Sequence, residues 1–330
     1  MKKLFFFLFL LIPFTKNFAQ NNSVNNPEKI VGADISFLPQ LEARGNKFSD
    51  NGGQKDAILI LKDHGFNYIR LRIFNDPAAD SGYSPHQGFC DLEHTKQMAK
   101  RIKAAGMKFL LDFHYSDTWA DPGKQFKPAA WKDLNIFLLA QAVHDYTVQV
   151  LTALQQQNTL PDMVQVGNEI NHGILWPDGN VNQINYLASL LSSGTKAVRE
   201  VDPKIKVMLH IACGGQNEES RAFLDSMIDR NISFDVIGQS YYPKWHGTIA
   251  DLQNNLNDLS KRFKQDIIVV EYSEHKQEVN DIAFGIQNKK MIGTFIWEPL
   301  NTWEKIFDKD GTSNKLIAVY DDIKAKYLVP

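Results

Sequence analysis

Hydrophobic positions along the chain follow two alternating periods. Eight short runs rich in β-branched and apolar residues predict strands at 30–36, 68–74, 108–115, 163–169, 206–211, 234–241, 267–271 and 293–297. Between them lie segments with apolar residues at helical spacing, among them 54–64, 91–105, 135–156 and 249–263. In the last, Leu252, Leu256, Leu259 and Phe263 define one buried face. Gly65 and Gly106 stand just past two of these helices, where a residue that tolerates positive φ is needed before the next strand begins. Successive strand–helix units with no Pro-, Gly- or Ser-rich linker between them predict one closed (β/α)8 TIM barrel, of class α/β. The competing arrangement, an open doubly wound sheet, loses support because the first strand–helix turn has no GxGxxG and the chain has no GxxxxGK[ST].

The N-terminus breaks the pattern. Met1-Lys2-Lys3, the apolar block Leu4 to Pro13, and Thr15 to Gln20 have the order of a secretory signal. The expected organisation is a cleaved signal peptide at 1–20, an N-terminal extension at 21–29 and a catalytic barrel at 30–330, with the product in the periplasm or the medium. The leader's apolar run is too short for a ~30 Å hydrocarbon core, and no later run approaches ~20 apolar residues, so no membrane span is expected. Lys plus Arg total 36 against 38 Asp plus Glu, without a long charge block. That balance argues against nucleic acid or an anionic membrane as partner and suits a neutral substrate. Only Cys90 and Cys213 occur, which is too few for a disulfide framework and reads as two separate buried thiols.

In such a barrel the working groups sit at the C-terminal ends of the strands. The polar and aromatic residues fall there: Asp34 and Ser36, Arg70 and Arg72, Asp112 through Asp121, Asn168-Glu169, His210, Ser240 through Pro243, Glu271, and Trp297-Glu298. Arg70 and Arg72 share one strand face, and a guanidinium that cannot lose its charge requires a carboxylate or a ligand. A catalytic carboxylate and a structural ion pair are both open as that partner. Glu169 and Glu271 end strands four and seven, on opposite sides of the interior. Two carboxylates so placed can come within the ~5 Å that a retaining glycosidase needs for a nucleophile and a proton donor. A single Glu after a strand is more often a loop ion pair or a helix N-terminal charge; the pair, with Asn168 adjacent, carries the reading.

Trp119, Trp176, Trp245 and Trp297 lie at or just after strand ends, where an indole can serve as a platform for the apolar face of a sugar, whereas Trp131 and Trp303 read as loop packing. Other chemistries fit less well. Gly238-Gln239-Ser240 lacks the closing Gly of a nucleophile elbow. His114, His172 and His210 come without HExxH, so hydrogen bonding to sugar hydroxyls is their better use and no metal is expected. Asp308-Lys309-Asp310-Gly311 lacks the further acidic positions of an EF-hand and reads as a turn. No cofactor is implied. A non-catalytic sugar-binding barrel, the reading from another class, would be marked by a missing Glu at strand four or seven, and both are present.

The chain resembles glycoside hydrolase family 53, the endo-β-1,4-galactanases that cut type I arabinogalactan, through almost the whole sequence after the leader. The likeness rests on Gly32-Ala33-Asp34-Ile35-Ser36, Arg70-Leu71-Arg72, His114 through Pro122, Val166-Gly167-Asn168-Glu169-Ile170-Asn171, Ser240-Tyr241-Tyr242-Pro243 and Trp297-Glu298-Pro299. The resemblance implies Glu169 as acid/base, Glu271 as nucleophile, Arg70 supporting the nucleophile, and Asn168 binding the hydroxyl next to the anomeric carbon. It further implies Trp297 as the floor of the subsite where the bond breaks and His114, Trp119 and Asp121 as the lining of neighbouring subsites. Asp34, His210 and Tyr242 complete the expected substrate-binding set, with β-1,4-galactan or galacto-oligosaccharides as partner and a monomeric enzyme. One departure stands out. Family members usually follow the nucleophile with a Tyr-Pro-Trp-containing segment and a long loop, sometimes carrying calcium; here Glu271 is followed by Tyr272-Ser273-Glu274-His275-Lys276-Gln277 and the next strand begins about twenty residues later. The segment 272–290 must still form a helix, with Val279, Ile282, Ala283 and Ile286 as its apolar face, which leaves little chain for a lid or an ion cage.

Overall fold

The structure is a computed structural model that describes Met1 and residues 26–328. The expected signal peptide and most of the expected extension lie outside the described residues after Met1. Eight parallel strands follow one another around a closed barrel: β1 (Glu28–Asp34), β2 (Tyr68–Ile73), β3 (Lys108–Phe113), β4 (Met163–Val166), β5 (Lys206–Ile211), β6 (Val236–Tyr241), β7 (Asp266–Tyr272) and β8 (Met291–Trp297). β1 pairs with both β2 and β8, so the barrel sheet has no free edge. Around it lie α1 (Ala57–Asp63), α2 (Leu92–Ala104), α3 (Ile136–Gln156), α4 (Ile184–Val201), α5 (Asn217–Asp229), α6 (Ile249–Arg262), α7 (Lys276–Gly285) and α8 (Ala318–Ile323). This is the expected (β/α)8 barrel. No described helix is long and apolar enough to cross a membrane.

Local chemistry sets the ends of these elements. Gly65 and Gly106 take φ of +94° and +70° after α1 and α2. Gly65 N–H donates to Lys62 O and Phe66 N–H to Leu61 O, which satisfies two of the carbonyls left over at the end of α1. Asp91 caps α2, Asn135 caps α3, and Thr248 with Asp251 forms a reciprocal capping box on α6. The apolar face of α6 is buried as its spacing predicts. In α7, Val279 and Ala283 are buried, Ile286 is buried just past the helix, and Ile282 is only partly covered.

The core has two layers. Outward-facing strand residues pack with the helices in one large cluster, while Ile30, Tyr68, Leu110, Met163, Met208, Val236, Ile268, Val270, Met291 and Phe295 fill the barrel's lower interior. Strict alternation along β2 sends Tyr68, Arg70 and Arg72 inward and Ile69, Leu71 and Ile73 outward. Several strands stop short of their predicted ends, β1 at Asp34, β3 at Phe113 and β4 at Val166, and of the residues that follow, His114, Asn168 and Glu169 face the cleft while Ile35 and Tyr115 pack in the core. Cys90 and Cys213 are free and buried.

Candidate active site

Above the apolar floor the barrel interior turns polar. Arg70 is fully buried and donates to Asp34 Oδ2 at 3.0 Å, Asp112 Oδ2 at 2.8 Å, Glu271 Oε2 at 3.0 Å and Asn168 Oδ1 at 2.9 Å. One guanidinium therefore ties together β1, β2, β3, β7 and the turn after β4. Both partners considered for it are present, since Asp34 and Asp112 are structural and Glu271 lies at the cleft. Arg72 pairs instead with Glu298 at 2.5 Å, under the rings of Phe37 and Trp119.

Glu169 reaches the cleft because β4 ends early. Gly167 has φ +84°, where a Cβ would also come within 2.6 Å of Ile170 Cγ2, and Glu169 itself is left-handed at φ +49°. This turn directs Asn168 and Glu169 into the same space. Glu271 arrives differently. Between Ile268 and Glu271 the register of β7 slips by one residue against both β6 and β8, the signature of a β-bulge. Val270 fills the barrel interior and the next residue, Glu271, also faces inward. Strict alternation would have turned Glu271 to the helices.

The two carboxylates have unlike neighbours. Glu271 accepts from Arg70 and, through Oε1, from Tyr242 Oη at 2.8 Å. Glu169 accepts from Ser240 Oγ at 2.7 Å through Oε1 and has no ion pair among the described residues. Ser240 and Tyr242 are period-two neighbours, roughly 7 Å apart along extended chain, so the C-terminal end of β6 holds both acids. Burial raises the pKa of each. At Glu271 the Arg70 charge and the phenol oppose burial; at Glu169 burial is reinforced by the negative charge of Glu271 and by Asp121, and its pKa is pushed up to about 8. Of the pair, Glu169 keeps the proton. Burial next to Glu271 also holds Tyr242 well above the ordinary tyrosine range, so it remains a donor.

Two cavities meet at this pair. One, of about 310 Å³, is lined by Asp34, Arg70, His114, Trp119, Asn168 and Trp297 among others; the second, of about 520 Å³, by Asn171, His172, Glu219, Tyr242, Trp245 and Trp303 among others. Asp121, Glu169 and Glu271 line both. The site is thus an open cleft with room on either side of the carboxylates. A sequence profile of Glycosyl hydrolase family 53 matches residues 30–291. The chain belongs to glycosyl hydrolase family 53. An uncharacterized protein in the bgaB 5′ region of Niallia circulans is 48% identical over 251 residues, 73% of this chain and 66% of that one. An arabinogalactan endo-β-1,4-galactanase of Cellvibrio japonicus is 37% identical over 264 residues, 77% of this chain and 68% of the relative. These matches span about two thirds of the length of both relatives. Among solved structures, the GH53 catalytic domain of Ignisphaera aggregans is similar with a TM-score of 0.84 at 33% identity, covering 92% of this chain and 98% of that one.

In this family 53 barrel most of the residues expected from sequence converge on the cleft, with three corrections. His210 is fully buried beneath it and lines neither cavity; Nε2 lies 2.8 Å from Ser240 Oγ and Nδ1 3.0 Å from Asn168 Oδ1, so it is not positioned to touch a sugar. Trp176 lines neither cavity and its Nε1 donates to His172 O. Trp303, read as loop packing, instead lines the larger cavity with its ring 5.0 Å from that of Trp297 and 6.3 Å from that of Trp245. Trp131 does pack on Tyr146, away from the cleft. Sequence reasoning also gave no role to Ser240, Gln165 or Asp112, although period-two spacing from Tyr242 and position at the end of β3 were available signals. Of the residues of the larger cavity, Asn171 and His172 come from a short 3-10 turn after β4 and Glu219 from the first turn of α5, positions that the strand pattern does not encode.

Proposed function

We propose that this protein is an endo-acting β-1,4-galactanase that hydrolyses type I arabinogalactan with retention of configuration. The observation that carries the reading is the asymmetry of the two carboxylates at the centre of a cleft open on both sides. Protonated Glu169 donates its proton to the glycosidic oxygen while Glu271, ionised beside Arg70, attacks the anomeric carbon and forms an α-galactosyl-enzyme. The aglycone leaves through the larger cavity. Glu169, now ionised, takes a proton from water, which displaces Glu271 and returns the β configuration. Asn168 stands where it can bind the hydroxyl next to the anomeric carbon, and Trp297 supports the sugar's apolar face. Asp34 and Asp112, which also line the smaller cavity, hold Arg70 against Glu271. Tyr242 fixes Glu271 from the other side and lines the larger cavity, where it also meets substrate.

The relatives named as galactanases supply the substrate class, and cavities on both sides of the acids suit internal cleavage. Export by residues 1–20, a barrel domain over 30–330, a monomeric state and independence from calcium belong to the same proposal. Product analysis on purified β-1,4-galactan, beside xylan, mannan and glucan, tests it. Rapid release of a mixture of galacto-oligosaccharides from galactan alone is expected; equal turnover of another backbone, or release of galactose only, contradicts it.

A further inference from the structure

Ser240 has one hydrogen and two neighbours that compete for it. Its Oγ lies 2.7 Å from Glu169 Oε1 and 2.8 Å from His210 Nε2. On the far side of the imidazole, Nδ1 lies 3.0 Å from the Gln165 amide nitrogen, a donor, and 3.0 Å from Asn168 Oδ1, an acceptor. Only two arrangements keep every hydrogen bond paired. In one, His210 Nε2–H donates to Ser240, Ser240 donates to Glu169 Oε1, and Nδ1 accepts from Gln165. In the other every direction is reversed, and Glu169 must carry its proton on Oε1, aimed at β6.

The ionised state of Glu169 selects the first. Gln165 Nε2 has two hydrogens, one of them given to Asp112 Oδ1 at 2.6 Å, and Arg70 occupies one lone pair of Asn168 Oδ1 at 2.9 Å, so Nδ1 can be satisfied in either arrangement. The reversed chain fails once Glu169 is ionised, because Ser240 Oγ would then face the carboxylate with no hydrogen between them. Glu169 Oε2 has no protein hydrogen bond among the described residues. We propose that Ser240 and His210 are positioning residues that hold Glu169 Oε1 permanently as an acceptor, confining the acid's proton to Oε2, the oxygen left for substrate. This rests on Glu169 as acid/base. The same arrangement serves both half-reactions, since Glu169 loses and regains its proton at Oε2 while Oε1, Ser240 and His210 stay unchanged.

His210 must remain neutral for this. Burial and the charge of Arg70, with His114 and His246 nearby, hold its pKa well below the usual histidine range. The charged and titratable groups that face Glu169 are Glu271 from β7, Asp121 from the loop after β3 and Arg70 from β2. No second cation is therefore added beside Glu169, and its proton stays on at neutral pH.

The direct test uses wild-type enzyme labelled with ¹⁵N-histidine, with the His210 resonances assigned by comparison with His210→Gln. Long-range ¹H–¹⁵N spectra from about pH 5 to about pH 9 should show a neutral ring with its hydrogen on Nε2 throughout. A hydrogen on Nδ1, or an imidazolium in that range, overturns the proposal. A kinetic test reads the consequence. Ser240→Ala removes a donor from the carboxylate, so the alkaline limb of kcat/KM should move up by about one pH unit. Turnover of galactan should fall on the order of 10-fold while a dinitrophenyl galactoside, whose leaving group needs no proton, loses little. Ser240→Thr should restore both. An unmoved limb, or equal loss on both substrates in a variant that melts like wild type, overturns it. Glu169→Gln separates the two readings: if it shows no dependence on leaving group, the acid assignment has failed, and the ring's tautomer is still read independently.

Discussion

The ends of β4 and β7 each deliver one carboxylate to the same cleft by different backbone devices and into different surroundings. β4 stops at Val166 and turns left-handed through Gly167 and Glu169, whereas β7 continues and inserts a bulge before Glu271. The first device places an acid against a serine hydroxyl, with no ion pair among the described residues; the second sets its acid between Arg70 and Tyr242. Burial raises both acids, and their neighbours then separate them, Arg70 and the Tyr242 phenol countering the rise at Glu271. The difference teaches that the two acids are told apart by where the Arg70 guanidinium sits.

The comparison makes graded predictions. Glu271→Ala should lose on the order of 10⁴-fold or more in kcat, and azide should restore turnover of an activated β-galactoside with an α-azide product. Glu169→Ala should lose about 10²- to 10⁴-fold on galactan, with azide giving a β-azide; exchanged products mean exchanged roles. Removing the shared cation comes next. Arg70→Met leaves Asp34, Asp112 and Glu271 buried without their partner and should destabilise the fold by about 3–5 kcal/mol, read by denaturant unfolding near neutral pH.

Stability against pH separates the acids again. The folded pKa of Glu169, about 8, lies above its ordinary 4.5. The native state then binds the extra proton between those values, so the stability it contributes is full below about 4.5 and lost as pH rises through about 8. Glu169→Gln cannot ionise and should be more stable than wild type at alkaline pH by on the order of a few kcal/mol, with the gap closing towards pH 5. Equal melting curves at both pH values would mean that Glu169 is already ionised in the native cleft. The smallest effect concerns the short connection from β7 to β8. With α7 occupying Lys276–Gly285, chelator should leave the melting temperature unchanged, and kcat/KM should level off along a ladder of galacto-oligosaccharides at shorter lengths than in relatives with a longer loop.

Much of this was legible in the chain. The eightfold alternation of periods gave the barrel, and polar residues at strand ends located the rim, because both follow from repeating burial. The bulge in β7 left no such mark: Ile267 through Val270 are four successive apolar residues, and alternation counted from Ile268 turns Glu271 the wrong way. His210 misled for a related reason, since an inward-facing residue near the C-terminal end of β5 is here covered by Ser240, Gln165 and Asn168 and lies beneath the cleft. Trp303 was misread because the course of a loop depends on tertiary packing, here against Tyr242 and Trp297.

In the proposed mechanism Glu169 and Glu271 act in succession on one anomeric carbon. Proton NMR of the first products released from a β-1,4-galacto-oligosaccharide, recorded before mutarotation, tests this most directly. Initial appearance of the β anomer is expected from two inversions through a covalent intermediate; initial appearance of the α anomer would contradict it.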